Sequence, residues 1–414
     1  MPVRQAALIF IFFTVLIDIL AFGLIIPVLP HLIKQIGHSD FGQAAIISGF
    51  FSAAFSAIQF VAAPVQGALS DRYGRRRVIL ISCFGLAVDF TFMALASTIP
   101  LFFIGRVISA MTSASFSTAN AYLADVTAPD KRAAAFGLLG SAFGIGFIIG
   151  PALGGLLGGI DLRLPFWVAS GLAALNFLYG WFVLPESLPV ERRTARFEWK
   201  RANPVGALLV LRRYPAVIGL IAIAFFSQLA HFVLPSTFVL FADYRFQWGE
   251  QKVGLVLAMV GVCNVLVQAF LIRRLVPRIG ERKALLAGLF FGMLGFAWQG
   301  LAGTGTLFLF AIPLLALWGL ANPSLQAIIT RQVSSHEQGS LQGAIASMAS
   351  LAGIFAPFLF THVFATFIGS NAPAHVPGAA FLLASAILLL ALILAARYTA
   401  WMKPSQPTGH NVPV

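Results

Sequence analysis

The sequence predicts an all-α membrane protein of twelve transmembrane helices, arranged as two six-helix parallel-repeat halves. Three observations carry this prediction. Of 414 residues, 59% are hydrophobic and only 10% charged, with a mean hydropathy of +0.90. A soluble chain is about 25% charged, so this one lacks the residues to cover the surfaces of several domains. Apolar runs long enough to cross a bilayer, which takes about 20 residues, recur along the whole length. One long basic segment divides them six and six.

The first run, 6–30, follows Arg4. A basic residue before an apolar run can open a signal peptide. This run is too long for a signal core, and no small-residue cleavage pattern clearly closes it. It is expected to be a retained first span. The others are expected at 43–69, 77–97, 99–125, 133–158, 164–184, 215–242, 251–272, 282–302, 306–329, 338–368 and 377–401. Helices follow because every lipid-exposed backbone group must be satisfied within its own segment. The runs are continuous rather than alternating, which argues against an outer-membrane barrel. The expected organisation is an N-terminal half (1–184), a cytoplasmic linker (185–214), a C-terminal half (215–403) and a cytoplasmic tail (404–414).

A net charge of +13 can signal nucleic-acid binding. Here the basic residues lie in short clusters between apolar runs instead of on one face, so no nucleic acid is expected. One side collects Arg4, Arg72, Arg75, Arg76, Arg77, Lys131, Arg132, the cluster from Arg192 to Arg213, Arg273 to Lys283, Arg331, Arg397 and Lys403. The other side holds Lys34, Arg163, Arg245 and Lys252. The rich side is read as cytoplasmic, with both termini inside and the protein in the cell inner membrane. Cys83 and Cys263 lie within apolar runs and offer neither a disulfide framework nor a metal spacing. No cofactor or metal is expected. No P-loop or nucleophile elbow is present, so the chain is not read as an enzyme.

Between spans 2 and 3 lies Gly67-Ala-Leu-Ser-Asp71-Arg72-Tyr-Gly74-Arg75-Arg76. An ordinary topology loop needs arginines but not the glycines or the aspartate. A shift of 206 residues aligns Gly74 with Gly280 and Pro151 with Pro357, while Pro277 falls where the first half has Asp71. The halves are therefore repeats that are not functionally equivalent. Span 5 carries Gly140, Gly144, Gly150, Pro151, Gly154 and Gly155. Glycines four apart share a helix face and allow close backbone approach, and Pro151 favours a bend.

Asp18, Asp89 and Arg106 fall well inside spans 1, 3 and 4. A charge there costs about 2.5–3.5 kcal/mol on insertion scales, which argues for use. A carboxyl group that takes a proton in low dielectric and releases it near an arginine can act as a carrier; a static pair joining helices is the other reading. His231, a titratable residue in span 7, is the proton-coupling candidate of the second half, and Gln228 shares its face. Asn264 and Gln268 share a face of span 8, and Asn322 and Gln326 a face of span 10; Gln59 and Asn120 add amides in spans 2 and 4. Such amides orient a ligand by hydrogen bonds or join helices.

These segments together carry a resemblance. The Gly67–Arg76 loop resembles the signature loop of the major facilitator superfamily, and the span-5 glycines resemble the G-x-x-x-G-P-x-x-G-G motif of its exporters. The stretch from Leu16 to Pro30 looks closer still. So do Ala87-Val-Asp89, Gly105-Arg106, Leu184-Pro-Glu186-Ser, Arg245-Phe-x-Trp248 and Ser340-Leu-Gln342-Gly343. Together they resemble the tetracycline/proton antiporters and their multidrug relatives over nearly the full chain. The resemblance implies a monomeric antiporter in the lipid bilayer, exchanging protons for a small, largely hydrophobic organic compound. Asp18, Asp71, Asp89 and Arg75 match positions that matter in that family, and Gln268 matches one near its substrate path. Two departures stand out. The family's span-9 aspartate is absent, with Gly292 in that stretch, and its span-8 histidine is Asn264. Tetracycline with its bound cation is therefore doubtful as substrate. A proton-coupled importer on the same fold and a ligand-sensing membrane receptor are the competing readings.

Overall fold

The computed structural model describes residues 3–112, 115–128, 131–194, 215–332, 338–370 and 372–400. The described chain is helical throughout. Ten helices are long and apolar enough to cross a membrane, and an eleventh crossing is a helix pair bent by 45°, Ile9–Ile25 with Leu29–Ile36. Span 4 supplies the remaining segment as Ile99–Thr112 and Ser115–Val126. Expected and observed boundaries agree closely. Span 2 is Phe41–Tyr73, span 3 Arg75–Leu95, span 5 Arg132–Gly158, span 6 Leu164–Val183, span 9 Glu281–Leu301, span 11 Gln338–Ile368 and span 12 Ala379–Ala400. Part of the expected linker, 195–214, and the tail lie outside the described residues.

Hydropathy alone does not show where spans break, and proline chemistry accounts for most of the breaks. Pro27 sits in the gap of span 1, and Pro30 opens the short helix Leu29–Ile36. Span 7 is Pro215–His231 and Val233–Phe246, parted at Phe232. Pro235 has no N–H to give the carbonyl four residues back, which is that of His231. Span 10 runs as Gly305–Ala316, a 3₁₀ turn Leu317–Leu320 and Ala321–Thr330. There Pro323 likewise leaves the carbonyl of Gly319 without its helical donor. Span 8 is Glu250–Leu266 and Ile272–Ile279 around a π-helical turn, Val267–Leu271. Discontinuous helices of this kind are tolerated where they line a cavity.

Burial follows the two halves. One core cluster is drawn from residues between Val217 and Ala395, joined by Ala44 and Ala45. Two others, around Phe102 and around Tyr122, are drawn from residues between Phe10 and Leu184. The repeat is also visible in the backbone. Gly74 (φ 99°) and Gly280 (φ 80°) are the positive-φ glycines among the described residues. They stand 206 residues apart, each between a pair of consecutive helices, in a conformation that costs a residue with a Cβ.

The halves meet at the end poor in Lys and Arg. Span 2 packs on span 11, with Gly42 against Ala365 and Gly49 against Thr361. Span 5 packs on span 8, with Gly155 against Gly254 and Ile148 against Gly261. At the basic-rich end, Gly67, Gly137 and Gly140 face open space. The bundle is closed at the charge-poor end in this conformation.

Candidate functional site

Asp89 is fully buried in span 3, where Ser82, Cys83, Leu86 and Phe90 also face inward. Gly105 of span 4 leaves room for its carboxylate: a Cβ there would lie 3.2 Å from Asp89 Oδ1. No side chain among the described residues meets strict hydrogen-bond geometry with either carboxylate oxygen, and the Ser109 hydroxyl of span 4 lies close enough to act on it. Arg106 follows Gly105 and is the cation acting on Asp89. It is itself 7% exposed, with its guanidinium carbon 4.6 Å from the Phe55 ring centre in span 2. The two charges are neighbours without a formed ion pair. Gaining or losing a proton at Asp89 therefore breaks no ion pair. The ring face of Phe55 compensates part of the buried positive charge.

Asp18 is held differently. Asn176 of span 6, fully buried, donates from Nδ2 to Asp18 Oδ1 at 3.3 Å and to the Thr14 carbonyl at 3.4 Å. The same nitrogen is 3.6 Å from Cys83 Sγ. Asp18 thus sits near Cys83, six residues before Asp89, or about 9 Å of helix rise away along span 3. Asn176 was not among the sequence candidates; a single amide in an otherwise apolar run has no partner at helical spacing to single it out.

At the basic-rich end the Gly67–Arg76 loop is a polar knot within the first half. Arg75 pairs with Asp71 at 2.6 Å and with Asp125 at 3.2 Å. Glu186 Oε1 accepts the backbone N–H of Arg75 at 2.8 Å, capping the start of span 3. Glu186 also faces Arg193 at 3.6 Å, and Arg76 donates to the Trp181 carbonyl at 2.7 Å. Arg72 lies over Tyr73. The Asp71 carbonyl accepts the Thr194 N–H, and Tyr122 Oη donates to the Pro185 carbonyl, tying the first residues of the linker to the bundle. A cap of this kind is worth about 0.5–2 kcal/mol. Glu186→Ala is expected to lower the unfolding midpoint of the detergent-purified protein correspondingly. Glu186→Gln, which keeps an acceptor oxygen, should recover part of that loss.

The span-5 motif has two faces. Gly146, Gly150 and Gly154 pack on span 1, where a Cβ on Gly150 would sit 2.9 Å from Gly23 Cα. Gly155 and the Pro151 carbonyl instead face span 8 of the other half, where a Cβ on Gly155 would sit 3.0 Å from Gly254 Cα. Gly140 faces open space, and Gly144 meets Val265.

In the second half, His231 ends the first helix of span 7, solvent-accessible, with its ring 5.7 Å from Trp318 in the 3₁₀ turn of span 10. Gln268 lies in the π turn of span 8 and is exposed; Asn264 is half-buried one turn earlier. Asn322 is exposed, and Gln326 accepts a hydrogen bond from Gln342 of span 11 at 3.1 Å. Gln228 is half-buried, as are Gln59 and Asn120, which interact with neighbouring groups. Three helix discontinuities thus cluster here, and Val267 touches Gly319 across two of them.

The sequence model of the Major Facilitator Superfamily matches residues 11–357 and, again, 220–412. This chain belongs to the major facilitator superfamily. It groups there with tetracycline and multidrug resistance proteins. It is 38% identical to the class C tetracycline resistance protein of Escherichia coli, over 96% of this chain and 98% of that protein. It is 27% identical to multidrug resistance protein 2 of Bacillus subtilis (strain 168), over 83% and 85%. Among solved structures it resembles a bacterial homolog of the human lysosomal transporter Spinster, inward-facing and unoccupied. That match has a TM-score of 0.78 at 17% identity, over 96% of this chain and 97% of that one. It also resembles the human organic anion transporter MFSD10, with a TM-score of 0.69 at 24% identity, over 95% and 100%.

Within this superfamily member, the span-9 departure has a packing reason. Gly292 lies against Trp318 of span 10 and Leu388 of span 12, where a Cβ would meet Trp318 Cγ at 2.7 Å and Leu388 Cδ1 at 2.9 Å. The indole occupies the room an acidic side chain would need. The same indole is the neighbour of His231.

Proposed function

We propose that this protein is a proton-coupled exporter of a small, largely hydrophobic organic compound. It would act as a monomer in the cell inner membrane with both termini in the cytoplasm. The carrying observation is the likeness to tetracycline resistance proteins over nearly the whole of both chains. The buried neighbours Asp89 and Arg106 support proton handling in the first half, with Asp18 near Cys83, six residues before Asp89. The basic-rich end is the cytoplasmic one on the positive-inside rule, so the conformation described is open to the cytoplasm. The loop from Gly67 to Arg76 then gates that end, Gly150 seats span 5 on span 1 of its own half, and Gly155 lets it move against span 8 of the other.

The amides Gln59, Asn120, Gln228, Asn264, Gln268, Asn322 and Gln326 are the proposed substrate contacts, and His231 is the proposed proton-coupling residue of the second half. With Trp318 of span 10 packed on Gly292 and no acid in span 9, the second half suits a flat apolar compound better than a metal-chelated one. Expression in an efflux-deficient host is the test. The expected result is raised tolerance to one or more hydrophobic planar drugs, lost when a protonophore collapses the gradient. Unchanged tolerance across a broad drug panel, with the protein present in the membrane, would contradict the reading.

A further inference from the structure

A cluster outside the buried charges of the first half joins the two halves at the extracytoplasmic end. His31 lies on Leu29–Ile36, the short helix that the break in span 1 creates, and is only 8% exposed. Its Nε2 is 3.2 Å from Asp243 Oδ2, near the end of span 7. Its Nδ1 is 3.2 Å from Glu250 Oε1, in the first turn of span 8, and 3.2 Å from the Pro27 carbonyl. One imidazole from the first half thus stands between two carboxylates of the second. Lys34, one turn on, is 3.8 Å from Asp243 and lies over the Phe41 ring. The other titratable or charged side chains on the segments packed here are His38 and Asp40 before span 2, Asp161 and Arg163 after span 5, Arg245 at the end of span 7, Lys252 at the start of span 8 and His375 against Tyr244.

We propose that His31, Asp243 and Glu250 form an extracytoplasmic proton-binding site that closure of the two halves completes. The chemistry is that of the donor count. A neutral imidazole has one N–H, so one of the two carboxylates would face a ring lone pair. The imidazolium has two N–H donors and satisfies both. Separating the halves takes the ring from both acids, so the site holds its proton best when closed. By reciprocity, a proton bound there favours closure. A proton taken from outside after substrate release would return the carrier to its cytoplasm-facing state. This goes beyond the exporter reading and rests on alternating access alone, whatever the cargo.

The test is conformational and needs no substrate. With Cys83 and Cys263 changed to serine, spin labels are placed at the exposed Ile160 and Leu301, one in each half. Distance distributions of the full chain in nanodiscs are compared between about pH 8 and about pH 5.5, the range in which a histidine changes charge. The closed-to-open ratio is expected to rise on acidification, by at most about tenfold per pH unit for one coupled proton. In His31→Gln the change should shrink to within about twofold. The doubly neutralised Asp243→Asn/Glu250→Gln variant should flatten in the same way, and it serves alone if His31→Gln does not fold. A wild type that ignores pH, or a folded variant of either kind that keeps the wild-type response, overturns the proposal. Failure here would leave drug tolerance untouched, so it is distinguishable from failure of the exporter reading.

Discussion

Asp89→Asn is expected to abolish proton-driven export while leaving the protein folded. The isostere keeps the volume beside Gly105 and removes only the titratable group. Loss of a positioned proton-transfer side chain typically costs about 10²–10⁴-fold in rate, and a drop in that range is expected in initial transport rate under a pH gradient. Arg106→Ala should behave differently. It strips a buried carboxylate of its neighbouring cation and leaves a hole over Phe55. Removing one member of a buried charge pair costs about 3–5 kcal/mol, so folded yield should fall along with transport. The double variant Asp89→Asn/Arg106→Ala should recover yield without recovering transport. Size-exclusion profiles and reconstituted transport separate the two effects. Wild-type rates in Asp89→Asn would reduce the pair to packing.

The second large effect is steric. Gly155→Val should hold the extracytoplasmic end open, because its Cβ alone would press on the Gly254 Cα at 3.0 Å. Adding volume to a packed contact costs about 1–3 kcal/mol, and here that cost falls only on the closed state. Such a bias changes the closed population by about fivefold to 150-fold, which should stall turnover. Gly150→Val sits one turn away but faces span 1 of its own half, so it should destabilise both states alike and lower Tm instead. Spin-label distances and thermal unfolding on the two variants test this contrast. Identical behaviour in both would mean the span-5 motif has no division of labour.

Much of this was legible in the sequence because lipid imposes a single rule on backbone groups, and span limits follow from apolar length alone. The repeat was legible in Gly74 and Gly280, whose positive φ explains why glycine recurs 206 residues apart. Asp18, Asp89 and Arg106 announced themselves by their cost at depth. What sequence could not show were partners set by helix packing. Asn176 reaches Asp18 across 158 positions. His31 looked like part of a charge-poor loop until the bend of span 1 carried it to Asp243 and Glu250. Asp71 is the single acid of the Gly67–Arg76 loop. Its partner here is Arg75, four residues along, and in this conformation, open at the basic-rich end, Gly67 near it faces open space. The loop's role in gating is thus a matter of the opposite conformation.

Everted membrane vesicles test the central claim most directly. Respiration acidifies their interior, and a pH-sensitive dye reports the gradient while a drug picked from the tolerance screen is added. Proton-coupled export predicts drug uptake into these vesicles with a simultaneous fall in the gradient, both absent in Asp89→Asn. Drug uptake that persists unchanged after a protonophore has removed the gradient would contradict it.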